Sequence, residues 1–87
     1  MTKRMNRKVN VSFETYDRHL ELGFNIALYR KKAGMTQEQL AEKANISRPY
    51  MSEIEAPNMI TNISVEILFR LSDALRIAPT KLLEFRD

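Results

Sequence analysis

Hydrogen-bonding side chains are concentrated between residues 48 and 53 of this 87-residue chain. Arg48 offers five N–H donors in a plane, Glu53 offers two acceptor oxygens, and Ser52 offers a hydroxyl that can donate or accept. Catalysis would need a nucleophile with a base, a carboxylate pair or metal ligands. The chain has one histidine, no cysteine and two glycines, and its acidic residues are scattered at helical surface spacings. We therefore expect recognition by hydrogen bonding, with no enzyme activity, metal or cofactor.

Two short helices joined by a tight turn are predicted to position these side chains. Thr36 precedes Gln39 by three residues, which is the capping-box pattern. In that pattern the threonine hydroxyl accepts a hydrogen bond from a backbone N–H of the first turn, and the glutamine side chain accepts one from the backbone N–H of the threonine. Leu40, Ala41 and Ala44 then recur on one helical face. Because two of these residues are small, a second helix can approach closely.

The second of these helices is predicted to begin near Ser47. Asn45 tolerates the left-handed conformation of a sharp helix exit, and Ser47 is a favoured N-cap residue. Pro49 fits the first turn, where its missing N–H has no helical partner, so the N–H of Tyr50 must bond the cap. The positions predicted to face inward are Met51 and Ile54, and those predicted to face outward are Arg48, Pro49, Ser52 and Glu53.

The chain resembles the helix-turn-helix proteins of the phage repressor and Cro-like (XRE) family over roughly residues 22 to 84. Within the two helices the resemblance is carried by Gln37, Leu40, Ala41, Asn45, Ile46, Ser47, Met51, Ser52, Ile54 and Glu55. It extends to Ile26, Arg30, Gly34 and Met35 upstream, and to Ser64, Val65, Leu68, Leu71, Ala74, Leu75 and Leu82 downstream. It implies an all-α fold, a compact five-helix bundle of the lambda-repressor-like type in which helices two and three form the helix-turn-helix.

The resemblance also implies a function. We expect a sequence-specific, double-stranded DNA-binding transcriptional regulator, a dimeric repressor-type protein that contacts the major groove with the helix from Ser47 to Ala56. The alternative is a protein-interaction module, such as an antitoxin or co-regulator, in which DNA binding is secondary. Arg48, Gln37 and a basic N-terminal arm favour DNA, because a pure protein binder would not need them.

Individual DNA contacts follow from the resemblance and from the chemistry of the bases. Arg48 is predicted to bond guanine with two N–H groups or to clamp a phosphate, and Glu53 to accept from a cytosine amine. Pro49 and the Tyr50 ring suit a thymine methyl group, or the Tyr50 hydroxyl bonds a phosphate. Ser52 suits either partner. The full set of residues expected to contact DNA is Gln37, Ser47, Arg48, Pro49, Tyr50, Ser52 and Glu53.

Contacts with the DNA backbone are expected around the first of the two helices. By resemblance, Gln37 bonds a phosphate and sets the register, assisted by the helix N-terminus. Thr36, Lys43 and Asn58 are further candidates for backbone contacts, and Lys43 is equally consistent with an ordinary solvated lysine. The resemblance also implies a largely buried, structural ion pair, formed by Arg30 and Glu55.

The N-terminal helix is predicted to begin between Thr15 and Arg18 and to end near Lys32, with Gly34 as its stop. Leu22, Ile26, Tyr29 and Ala33 lie along one stripe of this helix, and the only histidine, His19, is expected on its exposed side. Gly23 lies inside it and either costs about 1 kcal/mol relative to alanine or marks a break.

Positive charge is concentrated before residue 9. The net charge is +3, yet residues 9–87 hold ten basic and eleven acidic side chains. Residues 1–14 are therefore predicted to be a basic arm and residues 15–87 the DNA-binding domain. The arm either follows phosphates or enters a minor groove, or it is a solvated tail. Residues 9–13 alternate apolar and polar, which suits a short strand or an irregular apolar segment.

The segment after Glu55 departs from the family pattern. Pro57 stands where relatives have glycine, and residues 56–64 are about two residues longer and uncharged. Proline still ends the helix, but the basic loop contacts of relatives are missing. Met59 and Ile60 are expected to tuck under this loop.

The C-terminal part is rich in apolar side chains. Ser64 is predicted to cap a fourth helix and Pro79 to begin a fifth. The apolar residues close the core or form a symmetric dimer contact, and we expect a homodimer through the C-terminal helices that binds a palindromic operator. With no cysteine, no signal peptide and no membrane-spanning run, we expect a cytoplasmic protein, bacterial or phage-encoded as the resemblance implies.

Overall fold

A computed structural model describes residues 12–85. After a 3₁₀ turn at Phe13–Thr15, this part of the chain forms five α-helices and no strand. The helices are α1 (Tyr16–Lys32), α2 (Gln37–Ala44), α3 (Arg48–Glu55), α4 (Val65–Leu75) and α5 (Pro79–Leu82). The predicted all-α, five-helix architecture is confirmed. Residues 1–11, which hold all the basic side chains of the predicted arm and most of the alternating segment at residues 9–13, lie outside the described residues.

Local hydrogen bonds begin α2, α3 and α4 where the sequence predicts. The Thr36 hydroxyl accepts from the N–H of Gln39 at 3.0 Å, and the Gln39 side-chain oxygen accepts from the N–H of Thr36 at 2.8 Å. The Ser47 hydroxyl accepts from the N–H of Tyr50 at 3.1 Å, as Pro49 requires. Ser64 caps α4 in the same way. The boundaries of the helix-turn-helix are therefore set by residues close in sequence.

Three residues with positive φ end helices. Gly34 (φ 74°) follows α1, Asn45 (φ 58°) ends α2, and Arg76 (φ 60°) ends α4. The left-handed conformation lets the chain leave a helix sharply while its last carbonyls still accept hydrogen bonds. Gly34 and Asn45 confirm the predicted exits, whereas an arginine in this conformation has no sequence signal.

The core lies between α2, α4 and the middle of α1 and α3. The buried apolar residues that form it are Ile26, Leu40, Ala41, Ala44, Met51, Ile54, Leu71, Leu75 and Leu82. Leu22 and Tyr29 of the predicted α1 stripe pack against this core, but Ala33 is exposed. Ala33 is the C-cap residue that follows α1 and precedes the left-handed Gly34. No helix in residues 12–85 combines the length and apolar character needed to cross a bilayer.

Gly23 marks a close approach of α1 to α3. It is buried within an unbroken helix, so it does not mark a break. A Cβ atom added there would collide with the carbonyl oxygen of Ile54. The missing side chain therefore lets α1 lie directly against the end of α3.

Asn25 joins α1 to the C-terminus. It is 3% exposed, and its side-chain nitrogen donates to the carbonyl oxygens of Leu82 (2.9 Å) and Glu84 (3.1 Å). These bonds satisfy carbonyls at the end of α5, a helix too short to stand alone. The contact at Gly23 therefore joins α1 to α3, and the hydrogen bonds of Asn25 join α1 to the C-terminus.

Candidate nucleic-acid interface

The two sides of α3 differ sharply in exposure. Met51 and Ile54 are 0% and 4% exposed and pack in the core. The side chains that face solvent are Arg48, Pro49, Ser52 and Glu53, together with the cap Ser47. The predicted inward and outward faces are therefore confirmed, and the exposed face carries a cation, an anion, hydroxyls and an apolar ring next to one another.

Arg30 and Glu55 form an ion pair behind α3. Arg30 Nε and Nη2 donate to Glu55 Oε2 and Oε1 at 2.7 and 2.9 Å, and Arg30 Nη1 donates to the carbonyl oxygen of Met35 at 2.8 Å. The side chains are only 11% and 5% exposed. The hydrogen bond to Glu55 raises the pKa of Arg30, burial lowers it, and the carboxylate charge raises it further. The pair that the resemblance implied is therefore present and largely buried.

Gln37, the first residue of α2, is bound to the same carboxylate. Its Nε2 atom donates to Glu55 Oε1 at 2.9 Å, and the side chain is half-buried. No pattern in the sequence indicates this bond, because residues 37 and 55 meet only when α2 and α3 pack. The side chain predicted to contact a phosphate is thus already held by the end of α3.

Tyr50 faces the loop that follows α3. Its hydroxyl donates to the carbonyl oxygen of Asn62 at 3.2 Å, and burial together with the charge of Glu53 raises the pKa of the phenol. The Thr61 hydroxyl donates to the carbonyl oxygen of Glu53 at 3.2 Å. Because the Tyr50 hydroxyl already has an acceptor, the ring is the part of this side chain better placed for an apolar contact.

The uncharged loop at residues 56–64 has one buried apolar side chain. Ile60 is 5% exposed, as predicted, whereas Met59 is 43% exposed, so the prediction that it tucks under the loop was wrong. Consecutive side chains point in different directions along the backbone, so the burial of Ile60 does not bring Met59 into the core. Pro57 and Asn58 are exposed, and α3 ends at Glu55 as the proline requires.

The remaining predicted backbone contacts lie on exposed parts of α2. Thr36 and Lys43 are both exposed, at opposite ends of the helix. Arg70 of α4 was not predicted to take part, yet its Nη1 atom donates to the carbonyl oxygen of Asn45 at 3.1 Å while Nε bonds Glu66 at 2.9 Å. The four-residue spacing from Glu66 to Arg70 could have revealed the ion pair. Nothing in the sequence indicates the bond to the turn.

Large apolar side chains remain exposed on α4 and after α5. Val65 is 63% exposed, Phe69 48% and Leu83 45%. These residues lie in the C-terminal part for which the sequence predicts either core closure or a dimer contact. In the monomer they are not part of the core.

Comparison with known proteins matches residues 26–82 to the family described as helix-turn-helix. The chain is 38% identical to the HTH-type transcriptional regulator SinR of Bacillus licheniformis over 66 residues, which cover 76% of this chain and 59% of that protein. It is 41% identical to the immunity repressor protein of Bacillus phage phi105 over 58 residues, covering 67% of this chain and 39% of that protein. The chain thus spans less than two thirds of the length of these curated relatives.

Two solved structures have the same fold. The N-terminal DNA-binding domain of SinR from Bacillus subtilis has a TM-score of 0.70 and 37% identity, covering 78% of this chain and 97% of that one. The restriction-modification controller protein C.AhdI from Aeromonas hydrophila has a TM-score of 0.71 and 28% identity, covering 77% and 98%. Both matches cover almost all of the solved chain.

Proposed function

Because the chain belongs to the helix-turn-helix family of the phage repressor and Cro-like (XRE) type, we propose that it binds double-stranded DNA through α3 and regulates transcription. The family and the relatives are those of regulators rather than enzymes, and they do not favour the protein-interaction alternative. The observation that carries the proposal is the division of α3 into a buried, anchored side and an exposed side. A major groove admits one such helix.

The exposed residues of α3 are proposed to contact base edges. Arg48 suits guanine, because its two parallel N–H groups match the O6 and N7 acceptors, and Glu53 suits the amine of cytosine. Pro49 and the ring of Tyr50 suit a thymine methyl group. Ser47 and Ser52 supply hydroxyls at either end of this face. Among the described residues, neither Arg48 nor Glu53 forms an ion pair. Both side chains therefore have hydrogen-bonding capacity available for DNA.

The beginning of α2 is proposed to contact the DNA backbone. Gln37 lies in its first turn, where unpaired N–H groups and the helix dipole favour an anion. Thr36 lies next to it, and Lys43 and Asn58 would add contacts from the far end of α2 and from the loop. Such contacts position the protein on DNA without depending on base sequence.

A homodimer through α4 and the C-terminus is proposed as the form that binds DNA. Exposed Val65, Phe69 and Leu83 would be removed from water in such a contact, which is the main favourable term in association. A two-fold dimer would bind two half-sites in a palindromic operator. We place this activity in the cytoplasm of a bacterium or phage-infected cell, as a repressor by analogy with the phi105 protein.

Selection from random duplex DNA with the whole 87-residue chain tests the proposal. We expect enrichment of a palindrome whose half-sites lie about one helical turn apart, with affinity that falls as salt is raised. Sedimentation of the protein with the selected duplex should give two chains per duplex. Failure to enrich any sequence over random DNA would overturn the proposal and favour the protein-interaction alternative.

A further inference from the structure

The orientation of the Gln37 amide is dictated by its partner. An ionised carboxylate only accepts hydrogen bonds, whereas an amide has a donating and an accepting end. Glu55 Oε1 lies 2.9 Å from the Gln37 nitrogen. Exchanging the two ends of the amide would set two acceptor oxygens against each other. The nitrogen must therefore face Glu55, whichever way the amide of an isolated glutamine would turn.

The carboxylate that holds Gln37 is itself immobilised. Glu55 is 5% exposed and receives two hydrogen bonds from Arg30. Arg30 also donates to the carbonyl of Met35, two residues before Gln37. The network thus joins α1, the start of α2 and the end of α3. The partner of Gln37 is therefore a buried ion pair, Arg30–Glu55, which we call the anchor.

We propose that Glu55 is a positioning residue for DNA binding: it holds one N–H of Gln37 so that the second N–H is directed to a phosphate. The inference rests on the proposed function and deepens it. A phosphate oxygen accepts and does not donate, so a glutamine that presents its carbonyl would be repelled. An amide that is already oriented also loses less freedom on binding. The buried ion pair therefore contributes to DNA affinity as well as to folding.

A double-mutant cycle on affinity for the selected duplex tests this link. The anchor is removed as a whole in Arg30→Met/Glu55→Met, because a buried ion pair can often be replaced by apolar residues without loss of the fold. In the wild-type background Gln37→Ala should weaken binding about tenfold, the size expected for a lost hydrogen bond to a charged group. In the Met/Met background it should weaken binding less than about twofold, because Gln37 is no longer oriented.

Two controls separate positioning from a general distortion of the fold. Gln39→Ala removes the other glutamine of the chain, which contacts Thr36 and not Glu55, and should change affinity less than about twofold. Arg48→Ala should have the same effect in both backgrounds, since Arg48 makes no contact with the anchor. Equal losses from Gln37→Ala in both backgrounds, or no loss in the wild type, would overturn the proposal.

Side-chain amide exchange tests the orientation without altering the anchor. The two glutamines are matched: Gln37 is held through its nitrogen and Gln39 through its oxygen. One of the two Gln37 amide protons should exchange with water more slowly than either Gln39 proton, and the second should slow when the duplex is added. If both Gln37 protons exchange as fast as those of Gln39 in a protein that binds the duplex, the proposal that Glu55 positions Gln37 is wrong, and the proposed function stands. If the wild type binds no duplex, the proposed function fails, whatever the exchange shows.

Discussion

Substitutions on the buried side of α3 and on its exposed side have different energetic consequences. On the buried side, Met51 and Ile54 fill the core, and Glu55 would be an uncompensated charge without Arg30. On the exposed side, Arg48 and Glu53 can change without leaving a cavity or an unpaired buried group. Stability and specificity therefore reside on opposite sides of one short helix, and substitutions should affect them separately.

Gln37 is the exception to this separation. It belongs to α2, it is half-buried, and it bonds the carboxylate at the end of α3. Through this bond the buried side of α3 reaches the proposed DNA backbone contact. A change behind α3 should therefore alter affinity for all DNA sequences, whereas a change on its exposed side should alter the preference among them.

The largest expected effect comes from the buried side. Glu55→Ala should lower the free energy of unfolding by about 3–5 kcal/mol, because it leaves the Arg30 guanidinium buried without its partner. Lys81→Ala is the control: it removes an exposed pair with Glu84, 3.8 Å long, and should cost less than about 1 kcal/mol. Urea denaturation followed by circular dichroism measures both. Similar small losses for the two variants would show that the Arg30–Glu55 pair is not effectively buried.

The close approach behind α3 gives the next effect. Alanine favours a helix over glycine by about 1 kcal/mol, but in Gly23→Ala the new methyl group meets the Ile54 carbonyl, and such overpacking costs about 1–3 kcal/mol. We expect net destabilisation. In Gly34→Ala the methyl group has open space, and only the positive φ opposes it, at about 1 kcal/mol. A Gly23→Ala protein more stable than the wild type would mean that α1 and α3 separate without cost.

The exposed side should respond in binding alone. Arg48→Ala should reduce the discrimination between bases at a single base pair of the operator by about 1–3 kcal/mol of binding free energy. It should change the free energy of unfolding by no more than about 0.5 kcal/mol. Titration of the selected duplex and its single-base variants measures the preference. Lys43→Ala, a change of the same charge on α2, should weaken all duplexes alike. Uniform weakening by Arg48→Ala would assign Arg48 to a phosphate.

The smallest effect lies where the two sides meet. Tyr50→Phe removes the hydrogen bond to Asn62 and should cost about 0.5–1.5 kcal/mol of unfolding free energy at neutral pH. Because folding raises the pKa of Tyr50 above its ordinary 10.0, the folded state holds the phenol proton more tightly, and this stabilisation is present below pH 10.0 and lost as pH rises through the folded pKa. The difference between wild type and Tyr50→Phe should therefore narrow in alkaline solution. A constant difference would contradict the raised pKa.

Features that depend on neighbouring residues could be predicted. A cap joins residues three apart, so Thr36, Ser47 and Ser64 indicated the helix starts. Helical periodicity indicated that Met51 and Ile54 face inward. The Arg30–Glu55 pair is distant in sequence, and only the family resemblance pointed to it.

Contacts without a local pattern could not be predicted. Whether Met59 or Ile60 is buried depends on the path of the whole loop between α3 and α4. The Asn25 bonds to the C-terminus and the Arg70 bond to Asn45 use backbone carbonyls, which every residue has, so no residue type marks the acceptor.

The helices, the N-terminal caps of α2, α3 and α4, the turn at Asn45 and the division of α3 into two faces could be predicted from the amino-acid sequence, because each depends on residues within about one helical turn of one another. The packing of the helices establishes that Gln37 bonds Glu55, that Tyr50 bonds the loop, and that Gly23 is needed against Ile54. These contacts join atoms from segments whose distance is set by the packing of all five helices in residues 12–85. A single segment contains no information about that distance, which is why the link between the buried anchor and the proposed DNA contact became visible only in three dimensions.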